Sequence, residues 1–320
     1  MDGSIIWCRL CIVLSMIQPT LNYVSCPGPN QQGQPQHRMA YWQWNPLGQP
    51  GHSHVVVCVH GLTRQGRDFD VLARALSSHA RVVCPDVVGR GYSDWLADPM
   101  QYGIGRYVQD MLVLLEQLHS QAPIQQLDWV GTSMGGLIGM ALAGNHALSL
   151  PATIRKLLLN DVGPVLEWPA LQRIAAYVGQ PAQFADELQA AAALRQLAAG
   201  FGPHTPQQWL ALSRPMLRPV PSGGYRLHYD PAIAQPMQGM TQQQALQGQA
   251  PLWALYDAIQ AQTLLVRGAE SDLITKETAQ AMQMRGPFAQ CRELQGVGHA
   301  PTFVADEQVA IVRNFVLGKE

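Results

Sequence analysis

From His54 onward, short apolar runs alternate with helix-like segments, and this alternation restricts the chain to few folds. Residues 54–59 are apolar at nearly every position, as in a strand that is buried on both faces. Between Ile104 and Leu118, apolar residues recur at three- and four-residue steps, which predicts an amphipathic helix. Strands that alternate with helices form a mostly parallel sheet with helices on both faces. Further strand-like runs lie at residues 81–84, 127–130, 156–159, 263–266 and 291–294.

The alternation stops between about residues 164 and 251, a stretch rich in Ala, Gln and Pro. Residues 184–197 and 207–212 there predict helices, and residues 225–229 predict an extended segment. We therefore predict an α/β core formed by residues 38–163 and 252–320, with residues 164–251 inserted as a helical lid. Residues 39–44 alternate in polarity and predict an antiparallel edge strand.

Residues 1–37 are predicted to lie outside the fold. Residues 5–17 are mostly apolar, but the run is too short to cross a bilayer and Arg9 interrupts it. It is either a poor signal peptide, with a possible cleavage point near Ser25, or an extension upstream of a true start near Met39. Residues 27–37 have the Pro, Gly and Gln content of a linker. The prediction is a cytoplasmic protein, or an exported one if residues 1–26 act as a signal peptide.

The charge balance excludes several classes of partner. Lys and Arg (21) nearly cancel Asp and Glu (22), whereas nucleic-acid binding needs a basic surplus. We therefore expect no nucleic-acid partner. We also expect no stable membrane insertion, because the apolar run at residues 5–17 is too short to span a bilayer, and the composition indicates no oligomeric state. Six cysteines are too few for a disulfide scaffold of this length, and the ten histidines show no metal-ligand spacing, so no metal site is predicted.

The most informative segment is residues 127–137, which reads as a strand, the sequence Gly131-Thr132-Ser133-Met134-Gly135, and a helix. This G-x-S-x-G pattern in this context is typical of a nucleophile elbow, where a sharp turn exposes a serine. Glycines two residues before and after the serine let the strand and helix approach closely. The sequence therefore predicts Ser133 as a nucleophile. The alternative is a serine that caps the following helix.

A serine nucleophile needs a general base and an acid that orients the base. In chains with this elbow the order is serine, acid, histidine. His299, on a glycine-flanked loop after the last strand, is the predicted base. Asp272, just past the strand at 263–266, is the predicted acid, and Asp161, at the end of the strand at 156–159, is the competing one.

The negative oxygen that forms on attack needs backbone N–H donors. The predicted donors of this oxyanion hole are Met134, which follows the nucleophile, and Leu62, on the loop after an earlier strand. His60 lies on that loop and is expected to organise it. His60 is also a candidate for the substrate pocket, together with Trp168, which follows the predicted strand at residues 156–159.

The segments at residues 60–62, 131–135, 268–272 and 298–299 together resemble the α/β-hydrolase superfamily, over about residues 38–317. Residues 85–94 are similar to the loop after the fourth strand of that family. The resemblance implies the α/β-hydrolase fold: a mostly parallel sheet of about eight strands, with a helical lid between the sixth and seventh. It also implies that Asp86 and Arg90 hold the loop that lines the pocket.

The predicted function is that of a serine carboxylesterase acting on small to medium acyl esters, with no cofactor and a small-molecule ester as its partner. A carbon–carbon bond hydrolase or lactonase of the same fold is the alternative. A carbon–carbon hydrolase for an acidic substrate should carry a cation in the lid. A non-catalytic receptor on the same scaffold is the alternative from another class, and it would not need Ser133, an acid and His299 together. The candidate lid cations are Arg173, Arg195, Arg214 and Arg218.

Overall fold

The computed structural model describes residues 18–28, 35–45 and 52–318. Within them the chain forms an eight-stranded sheet and a separate sheet of three short strands. In chain order the strands are β1 (Thr20–Pro27), β2 (Pro35–Trp44), β3 (His54–Val59), β4 (Arg81–Pro85), β5 (Gln126–Thr132), β6 (Ile154–Asn160), β7 (Gln183–Phe184), β8 (Leu217–Pro219), β9 (Tyr225–Leu227), β10 (Gln262–Gly268) and β11 (Gln290–Leu294). The α-helices are α1 (Asp70–Leu76), α2 (Ile104–Gln121), α3 (Met134–Gly144), α4 (Trp168–Tyr177), α5 (Glu187–Leu197), α6 (Pro206–Ser213), α7 (Gln242–Asp257), α8 (Lys276–Met284) and α9 (Asp306–Leu317).

The large sheet has the strand order β1-β2-β4-β3-β5-β6-β10-β11. Strand β2 runs antiparallel to both of its neighbours, β1 and β4. The other neighbouring strands of the large sheet, in the order β4-β3-β5-β6-β10-β11, are all parallel. The central strands are continuous apolar runs because helices cover both of their faces. Each of the six strands predicted between residues 54 and 294 is present. In such a sheet the carboxyl ends of β3, β5, β6 and β10 meet at one edge, which brings their following loops together.

Part of the N-terminal segment belongs to the sheet, so the prediction that residues 1–37 lie outside the fold is wrong for β1. Strand β1 pairs with β2 from Thr20 opposite Gln43 onward, and Val24 and Cys26 are buried in the core. Strand β1, rather than residues 39–44, is therefore the edge strand. Only a few inward-facing positions of β1 carry apolar side chains, too few to reveal the strand. Residues 1–17 of the predicted signal segment and residues 29–34 of the predicted linker at 27–37 lie outside the described residues. Residues 35–37 of that predicted linker belong to β2 instead.

The stretch predicted as a helical lid contains helices α4 to α6, most of α7 and the three-stranded sheet of order β7-β9-β8. The predicted extended segment at residues 225–229 begins with β9. Strands β7 and β8 were not predicted, because strands of two or three residues are too short to show an alternating pattern. The predicted boundary at 251–252 falls inside α7, where Pro251 sits within the helix. No helix in the described part of the chain is long and apolar enough to span a membrane.

Candidate active site

Ser133 lies on a strained turn between β5 and α3. Its backbone has φ +50° and ψ −113°, a conformation that non-glycine residues adopt rarely. A methyl group on Gly131 would overlap the Gly135 carbonyl, and one on Gly135 would overlap the Val59 carbonyl. These glycines therefore let β3, β5 and α3 pack closely behind the serine. The Ser133 side chain makes no capping hydrogen bond to α3, so the alternative of a simple helix cap is wrong.

The loop after β11 brings His299 onto the serine. The distance from His299 Nε2 to Ser133 Oγ is 3.0 Å, and that from His299 Nδ1 to Asp161 Oδ2 is 2.7 Å. A methyl group on Gly268 would overlap the Gly298 carbonyl, so this close approach of β10 to the histidine loop requires glycine. The predicted partners Ser133 and His299 are thus together, in the geometry of a nucleophile and its base.

The carboxylate against His299 belongs to Asp161, and the prediction that Asp272 occupies this position is wrong. Asp272 instead accepts two hydrogen bonds from Arg173, at 2.7 Å from Nε and 2.8 Å from Nη2. Asp161 directly follows β6, which lies between β5 and β10 in the sheet, so its side chain reaches the loops after both neighbours. Asp272 follows β10 by four residues and is carried out to a half-exposed position. The position of β6 between β5 and β10 explains why Asp161 rather than Asp272 contacts His299. The order of residues along the chain does not show which strands are neighbours in the sheet.

Three donors satisfy the buried carboxylate of Asp161. The Gly268 N–H donates to Oδ1 at 2.9 Å, and the Ser271 hydroxyl donates to Oδ2 at 2.6 Å beside His299. A buried carboxylate without such partners would be costly. The Asp161 backbone has φ +53°, and its own N–H donates to the Val266 carbonyl at 2.8 Å. The contact of Ser271 was not predicted from the sequence, although Ser271 directly precedes Asp272 on the loop after β10.

The two predicted oxyanion donors lie beside the serine. Leu62 and Met134 both line cavity walls at Ser133, and no hydrogen bond from either backbone N–H occurs among the described residues. A buried arginine fixes the first of them, because Arg90 Nε donates to the Leu62 carbonyl at 2.8 Å. Asp86 holds the same region by accepting backbone N–H bonds from Gly66 and Tyr92. These contacts agree with the supporting roles that the resemblance implies.

His60 supports the loop that carries Leu62. Its Nδ1–H donates to the Gly61 carbonyl at 2.7 Å, and its Nε2 accepts the Val87 N–H at 3.0 Å. Burial lowers the pKa of His60 to about 3, so the ring is neutral. The ring is fully buried and does not line the cavities at Ser133, so the prediction of a pocket role is wrong and that of a loop-organising role fits.

Two cavities reach Ser133 within the described residues. The larger, of about 400 Å³, contains Arg64, Arg173 and His299 in its wall and is called the arginine cavity. The smaller, of about 280 Å³, has a wall of mostly apolar side chains and is called the apolar cavity. Trp168 lines neither of them, so its predicted pocket role is wrong. Trp168 is the first residue of α4, and the helix turns Leu171 and Ile174 toward Ser133 instead.

A second buried cluster, with the residue types of a metal site, lies far along the sheet at β1 and β2. Ligating atoms of Cys26, His37 and Asp110 lie within 4.8 Å of one another. However, Arg106 lies 3.0 Å from Asp110, and burial raises the pKa of the Cys26 thiol and keeps it protonated. A nearby guanidinium and a protonated thiol both oppose cation binding. The cluster joins the β1–β2 pair to α2.

The fold and this arrangement of serine, histidine and buried carboxylate define a class. Residues 56–312 match the model of the alpha/beta hydrolase family, which is most of the chain. The chain therefore belongs to the α/β-hydrolase family, and the predicted fold and the predicted enzyme class, an ester hydrolase, are confirmed.

Individual proteins of this family are similar to this chain over most of its length. The chain is 47% identical to a 3-hydroxybutyrate-oligomer hydrolase of Cupriavidus necator over 304 residues, which covers 94% of this chain and 98% of that protein. It is 27% identical to a 2-hydroxymuconate semialdehyde hydrolase of a Pseudomonas species, covering 72% of this chain and 76% of the other. The crystal structure of an alpha/beta hydrolase from Novosphingobium aromaticivorans superposes with a TM-score of 0.78 at 33% identity, covering 94% and 99% of the two chains.

Proposed function

We propose that this protein is a serine esterase that hydrolyses short oligomers of 3-hydroxybutyrate. The observation that supports the catalytic part is the hydrogen-bonded series Ser133, His299 and Asp161, which opens onto two cavities. The similarity to the Cupriavidus necator protein over nearly the full length of both chains supports the substrate class.

The proposed reaction uses this hydrogen-bonded series in the usual order. His299 Nε2 accepts the Ser133 proton as Oγ attacks the ester carbonyl, and the carbonyl oxygen becomes an oxyanion that the Leu62 and Met134 N–H groups stabilise. The bond between the acyl carbon and the ester oxygen then breaks, and His299 gives its proton to the leaving alkoxide. Water attacks the acyl-enzyme by the same route and releases the acid. Asp161 holds the histidine tautomer and stabilises the imidazolium.

An oligomer of 3-hydroxybutyrate is a chain of small hydroxy acids joined by esters, so this reaction cleaves it without further chemistry. The cavities at Ser133 have the size of ordinary small-molecule sites, and their walls are mainly apolar. Both features suit short acyl groups with few polar atoms. The same features support the wider class of small to medium acyl esters.

A carbon–carbon bond hydrolase is the second candidate, because Arg173 supplies a cation in the segment predicted as the lid and lines a cavity at Ser133. The 27% identical Pseudomonas relative is named as a 2-hydroxymuconate semialdehyde hydrolase. The near-complete coverage and higher identity of the first relative favour the ester reaction.

The test is hydrolysis of purified 3-hydroxybutyrate dimer and trimer, followed by chromatography of the released monomer. Hydrolysis of 2-hydroxymuconate semialdehyde, a dienoate, and of p-nitrophenyl butyrate is measured in parallel. We expect oligomer cleavage by the wild-type protein, and a loss of kcat of about 10⁴–10⁶ in Ser133→Ala. Cleavage of the dienoate but of neither oligomer would refute the proposed substrate class, and normal ester turnover by Ser133→Ala would refute the mechanism.

A further inference from the structure

The two cavities at Ser133 differ in charge. Among the residues that line the arginine cavity, Arg64 and Arg173 are charged and no Asp or Glu is present. The lining of the apolar cavity contains no charged side chain, and includes Leu137, Leu166 and Met237. An anionic part of a substrate therefore has favourable partners on one side of Ser133 only.

The two cavities also differ in their position relative to His299, the proposed base. The leaving alkoxide must take its proton from His299, so the leaving group has to lie on the side of the imidazole. His299 lines the arginine cavity and is not part of the apolar cavity's wall. Of the two proposed oxyanion donors, Met134 lines only the apolar cavity, whereas Leu62 lines both. The acyl group, which carries the oxyanion, thus has the apolar cavity as its natural place.

We propose that esters bind with the acyl group in the apolar cavity and the leaving group in the arginine cavity, where Arg173 selects leaving groups that carry a carboxylate. This inference rests on the proposed function, in which the leaving group of an oligomer ends in a free carboxylate. It adds the direction of the substrate and a specificity-determining residue.

Arg173 is better placed for this role than Arg64. Arg64 is bound to Asp68 through Nε and Nη2, donates to the Leu212 carbonyl, and lies over the Phe201 ring. Its side chain is only 12% exposed, whereas that of Arg173 is 43% exposed. The Arg173 guanidinium already holds a carboxylate in a two-bond arrangement, that of Asp272, which is itself 47% exposed. A planar fork of this kind matches any carboxylate.

The orientation is tested with two variants that fill one cavity each. Met240 lines the apolar cavity and Ala176 lines the arginine cavity, and both are exposed positions that accept a larger side chain. We expect Met240→Trp to shorten the preferred acyl chain in a p-nitrophenyl ester series. We expect Ala176→Trp to shorten the preferred alcohol in an alkyl butyrate series. The reverse pairing, or no change in either profile, would overturn the orientation.

The role of Arg173 is tested with 3-(butanoyloxy)butanoate and its methyl ester, which differ only in the carboxylate of the leaving group. The measured quantity is the ratio of kcat/KM for the acid to kcat/KM for the methyl ester. We expect Arg173→Met to lower this ratio about tenfold through KM, Arg173→Lys to restore part of it, and Asp272→Asn to raise it. Arg214→Met is the matched control, because Arg214 pairs with Glu187 and lines neither cavity.

An unchanged ratio in Arg173→Met, or an equal fall in Arg214→Met, would overturn the role of Arg173. Because both test esters carry a plain butanoyl group, this result does not depend on the hydroxyl group of a natural oligomer. Failure to cleave 3-hydroxybutyrate oligomers with the carboxylate preference intact would instead overturn the proposed substrate.

Discussion

Replacement of Asp161 by Asn tests the assignment of the acid most directly. Asp161 Oδ2 accepts hydrogen bonds from both His299 Nδ1 and the Ser271 hydroxyl. An Asn side chain has one acceptor oxygen and an NH₂ group, so it favours the tautomer of His299 that carries its proton on Nε2. That tautomer cannot accept the proton of Ser133. In a serine hydrolase triad this change costs about 10⁴ in kcat, or about 5 kcal/mol of transition-state stabilisation.

Asp272→Asn is the matched comparison, since it makes the same chemical change at the acid that the sequence favoured. Asp272 and its partner Arg173 are both nearly half exposed, and exposed ion pairs contribute about 0–1 kcal/mol. We therefore expect kcat for an uncharged ester to fall by less than about fivefold. The two variants should differ by about 10³ or more.

The assay is kcat with p-nitrophenyl butyrate at neutral pH, with thermal melting to show that each variant is folded. In the double variant Asp161→Asn/His299→Ala the two losses should not add, because the acid acts through the histidine. A loss of 10³ in Asp272→Asn with near-normal kcat in Asp161→Asn would refute this assignment. Additive losses in the double variant would show that Asp161 acts independently of His299.

Three further predictions concern the edge strand, the buried histidine and acyl selectivity. Deletion of residues 1–28 should lower the unfolding free energy in urea by about 3 kcal/mol or more, because the buried side chain of Val24 and the pairing of β1 are lost; an unchanged value would mean that β1 does not stabilise the sheet. His60 has a pKa of about 3 in the folded protein and about 6.5 in the unfolded chain, so only the unfolded chain gains a proton there between pH 6.5 and pH 3. The unfolding free energy that the neutral ring contributes is therefore lost as the pH falls from 6.5 toward 3. Between about pH 7.5 and pH 5 the wild type should lose about 2 kcal/mol more unfolding free energy than His60→Gln, and equal losses would contradict the buried neutral ring. Trp168→Ala should leave the dependence of kcat/KM on acyl length unchanged, whereas Leu171→Ala should raise kcat/KM for longer acyl chains by about fourfold per added methylene. A changed profile in Trp168→Ala would place the Trp168 ring in the substrate pocket.

Local patterns in the sequence were sufficient to predict the central strands and two of the three proposed catalytic side chains. Residues 54–59 are apolar enough to be recognised as a strand buried on both faces, and the helix at 104–121 shows its buried stripe in the sequence. Ser133 and His299 are marked by glycines that a close approach of strand and loop demands. Strand β1 was not recognised, because its pairing with β2 rather than its own composition makes it part of the sheet.

The sequence by itself determined the order of the six core strands between residues 54 and 294, the proposed nucleophile and base, and the family, since each depends on residues close together in the chain. The choice between Asp161 and Asp272 was decided by tertiary structure. Both aspartates follow a strand, but the strand order places the end of β6 between β5 and β10. The carboxylate of Asp161, which follows β6, therefore lies 2.7 Å from His299 Nδ1. Likewise, the walls of the two cavities come from segments distant in sequence. Only the folded chain therefore shows that Leu171 and Arg173, and not Trp168, line the cavities at Ser133.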